Sequence, residues 1–181
     1  MSSSSSSSSS AYTSSCWITR AETAADIPAV RAITLAAFET SFELGVLDAL
    51  RADEGWIDGL SVVATDIAGT VVGHVVLTRA YIGDVPALAM GPVSVHPDHQ
   101  RIGAGSAAVR AGLDAARERG ERFVVLLGHP TYYPRFGFQR ASAHGVELTI
   151  DAPDEAWMAL SLDDRHPLPS GPVRWAAGFG I

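Results

Sequence analysis

Three stretches of the chain combine residue types that could do chemistry. The first is HPDHQRIGAG, residues 96–105, which sets Arg101, Gly103 and Gly105 between an apolar run, ALAMGPVSV, and an alanine-rich run, SAAVRAGLDAARERG. At a strand-to-helix turn, glycines let the backbone approach a ligand closely and take φ > 0. The helix that follows leaves its first amides without intrahelical acceptors and carries a partial positive charge there. Such amides, with an arginine beside them, suit a phosphate or diphosphate; the same glycines would also serve a tight turn with no ligand. The second stretch is LLGHPTYYPRFGF, residues 126–138. A tyrosine at a strand end, Tyr132 or Tyr133, could give a proton to a leaving group or pack as an aromatic with a polar tip. The third is FETSFELG, residues 38–45. Its Glu39 and Glu43 are either proton acceptors or solvated carboxylates of a helix face.

Other chemistries fit less well. A Walker loop needs a lysine after its last glycine, and none follows Gly105. GAGSAA is weakly compatible with a dinucleotide fingerprint that accepts alanine at its third glycine, but it stands in mid-chain, after several strands. His96 and His99 share a loop with Pro97 and have no cysteine nearby, so no metal site is expected. The one cysteine, Cys16, precedes the core and is not expected to be a nucleophile. His74, in VVGHVVL, reads as a core histidine; His129 ends a strand and is better placed for chemistry.

The elements that must position these groups follow from periodicity. CWITRAET alternates as a first strand. Asp26 caps a helix with Pro28 in its first turn and apolar residues at Val30, Ile33, Ala37 and Phe38. A second helix is expected over 46–52. Valine-rich strands at 60–66 and 70–82 flank a tight link at Ile67–Gly69 and form a hairpin. A further strand covers 87–95. The helix after the glycine loop is expected from about Ser106 to Arg119, with Val109, Gly112, Leu113 and Ala116 as its apolar face and Gly120 ending it. RFVVLLGH reads as a buried central strand, PTYYPRFG as a helical turn or two, and FQRAS, 155–162 and 173–179 as later strands. The order predicts a mixed α/β layer fold with helices on both faces of a mostly antiparallel sheet.

Composition bounds the rest. The chain has 181 residues, 47% hydrophobic and 18% charged, which predicts one domain over 16–181 with a sizeable core. Residues 1–15 hold a serine tract, expected as a disordered tail. No signal peptide or membrane span is expected, and a single cysteine suits a reducing compartment, so the expected location is cytoplasmic. A net charge of −7 argues against nucleic acid as a partner and mildly favours cationic small molecules.

The first two stretches together resemble the GCN5-related N-acetyltransferase (GNAT) superfamily, in particular a bacterial subgroup of acetyltransferases. Gln100-Arg101-Ile102-Gly103-Ala104-Gly105 matches the family's [QR]-x-x-G-x-[GA] motif, with Val95-His96-Pro97 as its upstream V-x-P. Tyr133 stands four residues before the pair Gly137-Phe138, as the family's tyrosine does. The resemblance implies a sheet whose fourth and fifth strands splay apart, acetyl-CoA as co-substrate and no metal. It implies that Gln100, Arg101, Ile102, Gly103, Ala104, Gly105 and Ser106 hold the diphosphate and that Val93, Ser94 and Val95 border the pantetheine arm. It implies Tyr133 as general acid, with Glu39 and Glu43 near the acceptor amine as candidate bases. Ile102 departs from the arginine or glycine common there, which weakens the charge available to the phosphates. A homodimer is one oligomeric option. The expected activity is acetyl transfer to a primary amine; a non-catalytic acyl-CoA sensor or scaffold is the alternative, and a nucleotide-binding oxidoreductase a third reading.

Overall fold

The computed structural model describes residues 16–181; the serine tract of 1–15 lies outside them. Strand β1 (Ile18–Ala21) leads through a short turn into helices α1 (Ile27–Ala37) and α2 (Phe42–Arg51). Strands β2 (Ser61–Thr65), β3 (Val71–Ile82) and β4 (Val85–Val95) follow, then helix α3 (Ala104–Glu118) and strand β5 (Phe123–Leu127). Short strands β6 (Gln139–Arg140) and β7 (Val146–Glu147) precede β8 (Trp157–Ser161) and β9 (Gly171–Arg174).

The strands form one sheet in the order β1-β2-β3-β4-β5-β8-β6, with β9 pairing the far end of β3, and β7 pairing β9. Only β4–β5 and β7–β9 are parallel. That mostly antiparallel order removes the doubly wound dinucleotide reading. Period-2 alternation decides which helix each strand residue meets. Val62, Ala64, Val75 and Leu77 share a cluster with Ala108, Val109 and Leu113 of α3. Val63 and Val76 pack on the other face with Val30 and Ile33 of α1 and Leu47 and Leu50 of α2. Gly112 lets α3 close on the sheet: a β-carbon there would lie 2.9 Å from Leu77 Cδ1 and 3.1 Å from Val75 Cγ1.

Several boundaries differ from the sequence reading. Asp26 precedes α1, yet its carboxylate turns back, accepting from the Thr23 amide at 2.8 Å and from Arg20 at 2.6 and 2.7 Å. Helix α2 starts at Phe42 rather than Val46, because the polar bend at 38–41 ends sooner than composition suggests. Helix α3 starts at Ala104, two residues early, since Gly103 at φ 99° already makes the turn. FQRAS yields only the two residues of β6 before a 3₁₀ turn, and β9 stops at Arg174 where another such turn begins soon after. The link after β2 is as expected: Asp66 Oδ1 accepts from the amides of Ala68 and Thr70, each at 2.9 Å, and Gly69 takes φ 87°.

Candidate active site

The site is built on a divergence between two strands. β4 and β5 pair only at Leu88↔Val124 and Ala89↔Val125. Beyond Ala89, β4 bends: Leu77 opposes Met90 and Val75 opposes Val93, so one residue of β3 faces Gly91 and Pro92 together. This is a β-bulge, with Gly91 at φ 142°. The His96 amide donates to the Val72 carbonyl at 2.8 Å. Main-chain groups alternate sides in an antiparallel ladder, so those of Ser94 also face β3, and those of Val93 and Val95 face the gap that β5 has left. The Val95 carbonyl accepts there from Gln100 Nε2 at 3.2 Å.

Ser94 is therefore not brought to the gap. Its main chain faces β3, and its buried hydroxyl lies 3.0 Å from Thr34 Oγ1 on the α1 side. The sequence reading carried it in with its neighbours; strand parity takes it out.

The glycine loop stands at one end of the gap. Arg101 takes φ 64° and Gly103 φ 99°, and both are exposed. The first intrahelical bond runs from the Ala107 amide to the Gly103 carbonyl at 2.9 Å. The amides of Ala104, Gly105 and Ser106 open the helix ahead of it and have no intrahelical acceptor. Trp17 Nε1 donates to the Ile102 carbonyl at 3.3 Å and pins the loop from the chain's start. A β-carbon on Gly105 would lie 2.9 Å from Val95 Cγ2, so the close approach of α3 to β4 requires glycine. Free amides, a helix N-terminus and Arg101 fit an anionic diphosphate, and an open sheet edge at Val93 and Val95 fits an extended amide-bearing arm. These residues thus suit coenzyme A.

At the other end lies a cleft of about 490 Å³. Met90 to Val93, Gly128, His129 and Tyr133 line one part of it; Phe38, Phe42, Glu43, Trp175 and Phe179 line another. The two tyrosines take separate places. The Tyr132 hydroxyl lies 3.1 Å from Ser106 Oγ, with the Arg135 guanidinium 4.2 Å from its ring centre. One edge of the Tyr133 ring lies against Gly128, where a β-carbon would come within 2.2 Å of Cε2. Burial, aided by the neighbouring Tyr132, pushes the Tyr133 phenol up to about 12, so it is a protonated donor at neutral pH.

Glu43 sits in the first turn of α2, where a carboxylate meets the positive end of the helix. Thr40 Oγ1 donates to its Oε2 at 3.0 Å. Glu39 is exposed in the bend before α2 and does not line the cleft; both had been placed near the end of the first helix, which stops at Ala37. His129 is exposed at the rim. His74 is buried beside Ser61 Oγ, 2.7 Å from its Nε2. Gly128, Trp175 and Phe179 escaped the sequence reading. A glycine closing the apolar run before the tyrosines was a usable local signal; Trp175 and Phe179 had none, because the pairing of β9 with β3 brings them in.

Among the described residues no cluster of metal-ligating side chains occurs, and no helix is long and apolar enough to cross a membrane. A larger, open groove of about 1040 Å³, lined by Arg117, Glu121, Asp163 and Arg165 among others, lies away from Tyr133 and the glycine loop.

A splayed β4–β5 pair with a glycine loop opening α3 defines a class of acyl-transfer fold, and the comparisons agree. The Acetyltransferase (GNAT) family model matches residues 27–138. The chain belongs to this family, and with it to the acyl-CoA-dependent acyltransferases. It is 34% identical over 159 residues to the Uncharacterized N-acetyltransferase YjhQ of Escherichia coli K12, spanning 83% of this chain and 87% of that one. The crystal structure of Escherichia coli YhbS in complex with CoA superposes with a TM-score of 0.84 at 28% identity, over 91% of this chain and 92% of that one. A Brucella melitensis GNAT acetyltransferase in complex with acetyl-CoA superposes with a TM-score of 0.74 at 31% identity, over 91% and 99%.

Proposed function

We propose that the protein transfers the acetyl group of acetyl-CoA to a primary amine by direct attack, with Tyr133 as general acid. The observation that carries this reading is the gap beside β4. It runs from the open amides of Ala104–Ser106, past the main chain of Val95 and Val93, which no neighbouring strand pairs on that side, to a cleft holding a protonated phenol. The CoA-bound state of the YhbS and Brucella neighbours supports the same occupant. When bound, acetyl-CoA supplies the activated thioester.

Each residue then has a defined task. The amides of the 101–106 loop and Arg101 hold the diphosphate. Val93 and Val95 pair with the pantetheine arm as a strand would. The Val93 amide, turned from β3, stabilises the oxyanion that develops on the thioester carbonyl. Glu43 orients the acceptor ammonium and relays its proton to water, because an alkyl amine of pKa about 10 must be deprotonated before it can attack. Tyr133 donates its proton to the departing thiolate.

Calorimetric titration with acetyl-CoA, with NADH and ATP as controls, tests the binding half. Saturable one-to-one binding of acetyl-CoA alone, lost in Gly105→Glu, is expected. Binding without acetylation of any primary amine would return the sensor or scaffold reading; no binding would remove both.

A further inference from the structure

The cleft wall carries information on the acceptor. Resting on the acetyl-transfer reading above, we propose that the acceptor is a hydrophobic monoamine, a primary amine on an aryl or branched-alkyl body, and not a polycation. The acidic surface alone points the other way, towards polyamines or aminoglycosides. The cleft overrides it, because short-range desolvation decides what can sit against a wall, whereas net charge acts mainly on encounter.

Away from Tyr133, the walls are formed by Phe38, Phe42 and Val46 together with Trp175 and Phe179, the last packed beside Val46 on the same apolar cluster. The aromatic wall is braced. Trp157, Trp175 and Phe179 contact one another in series, tilted and then edge-on, at 5.5 and 5.4 Å between ring centres. Phe179 is held in place through its neighbour: the Gly178 amide donates to Asp53 Oδ2 at 2.7 Å, and a β-carbon on Gly178 would lie 2.8 Å from the Leu50 nitrogen. Trp175 shows the cleft only carbon, since its indole nitrogen is sealed from solvent.

Against these walls stands one side-chain carboxylate, Glu43, with one oxygen already engaged by Thr40. One ammonium can pair with it and lie near aromatic faces. A second or third ammonium seated against the aromatic walls would be desolvated on carbon with no further side-chain counter-ion in the lining. A peptide lysine matches the charge count but brings main-chain amides to a mouth formed by Phe42, 66% exposed, and Ile181, 52% exposed. Neither side chain offers a hydrogen bond. The cleft volume lies in the range of small-molecule sites, roughly 300–1,000 Å³.

The test compares kcat/KM for 2-phenylethylamine and 3-methylbutylamine with spermidine, kanamycin and a capped lysine tripeptide, alongside acetyl-CoA calorimetry. A preference for the hydrophobic amines of at least about thirtyfold is expected. Phe42→Glu adds a second carboxylate at an exposed position that the core does not use, and should move the ratio towards spermidine by about tenfold or more. Trp175→Ala should raise KM for 2-phenylethylamine while leaving acetyl-CoA binding intact. Preference for spermidine, kanamycin or the peptide in the unmodified protein would overturn the inference, as would acetyl-CoA binding with no acetylation of either hydrophobic amine. Loss of acetyl-CoA binding itself would instead fail the acetyl-transfer reading on which the inference stands.

Discussion

The Tyr133 phenol remains a proton donor throughout the pH range in which amines become nucleophilic. Burial holds it near 12, whereas the acceptor amine loses its proton near 10. On the proposed mechanism, kcat/KM rises with pH as the amine deprotonates and shows no falling limb from Tyr133 until pH approaches 12. Tyr133→Phe should lower the plateau by about 10²- to 10⁴-fold without moving the rising limb; a variant with an unchanged plateau would remove Tyr133 as the acid. Gly128 supports it by having no side chain. In Gly128→Ala the new methyl falls on the Tyr133 ring edge, so the ring must move. A loss in kcat of about 10²-fold with acetyl-CoA binding preserved is expected, since misplacement by about 1 Å can cost that much, together with a lowered melting temperature from the overpacked ring. Steady-state kinetics and a melting curve on the same preparation check it.

At the scale of elements, α3 must bring its first turn to β4 and its body onto β3. Gly105 permits the first and Gly112 the second. Gly112→Val would overpack against Leu77 and Val75, and a destabilisation of about 1–3 kcal/mol is expected in urea unfolding. Equal or greater stability in that variant would mean that α3 has room to shift and that its seating is not set there. The bulge at Gly91–Pro92 acts on the other partner. By bending β4 away from β5 it leaves the facing edges of the two strands without a strand partner there, and Gln100 satisfies only the Val95 carbonyl.

At the scale of the whole molecule, a buried charge network ties the first strand region to α2 and the sheet. Glu22 receives hydrogen bonds from Arg51 and Ser61, and His74 lies beside them, fully buried. Burial alone would raise the Glu22 carboxyl, but the nearby His74 ring and the hydrogen bonds from Arg51 and Ser61 outweigh it and hold it at about 2, below its usual 4.5. A carboxyl depressed in the folded state stabilises fully above its unfolded value, and that contribution fades as pH falls from 4.5 towards 2. Glu22→Gln should therefore be clearly less stable than the parent at pH 7, and the gap should narrow at pH 3. Urea midpoints at the two pH values measure it; a gap independent of pH would mean that Glu22 acts by packing rather than by charge.

Local patterns were enough for much of this protein. Val62 to Ala64 and Val75 to Leu77 are unbroken apolar runs because a strand with two covered faces must be apolar on both, and that is visible residue by residue. The spacings Gln100 to Gly105 and Tyr133 to Phe138 carried the family, because the loop and the tyrosine turn are each short and locally determined. What a strand's parity, a helix's first residue and a chain's return decide was not local. Ser94 reads like its neighbours until the β3 register turns its polar groups away from the gap. Glu39 and Glu43 look equivalent until α2 begins between them and takes only one to the cleft. Trp175 and Phe179 are far from Glu43 in sequence, and only the pairing of β9 with β3 brings them to the same cleft, so the aromatic character of its lining was written in the tertiary structure alone.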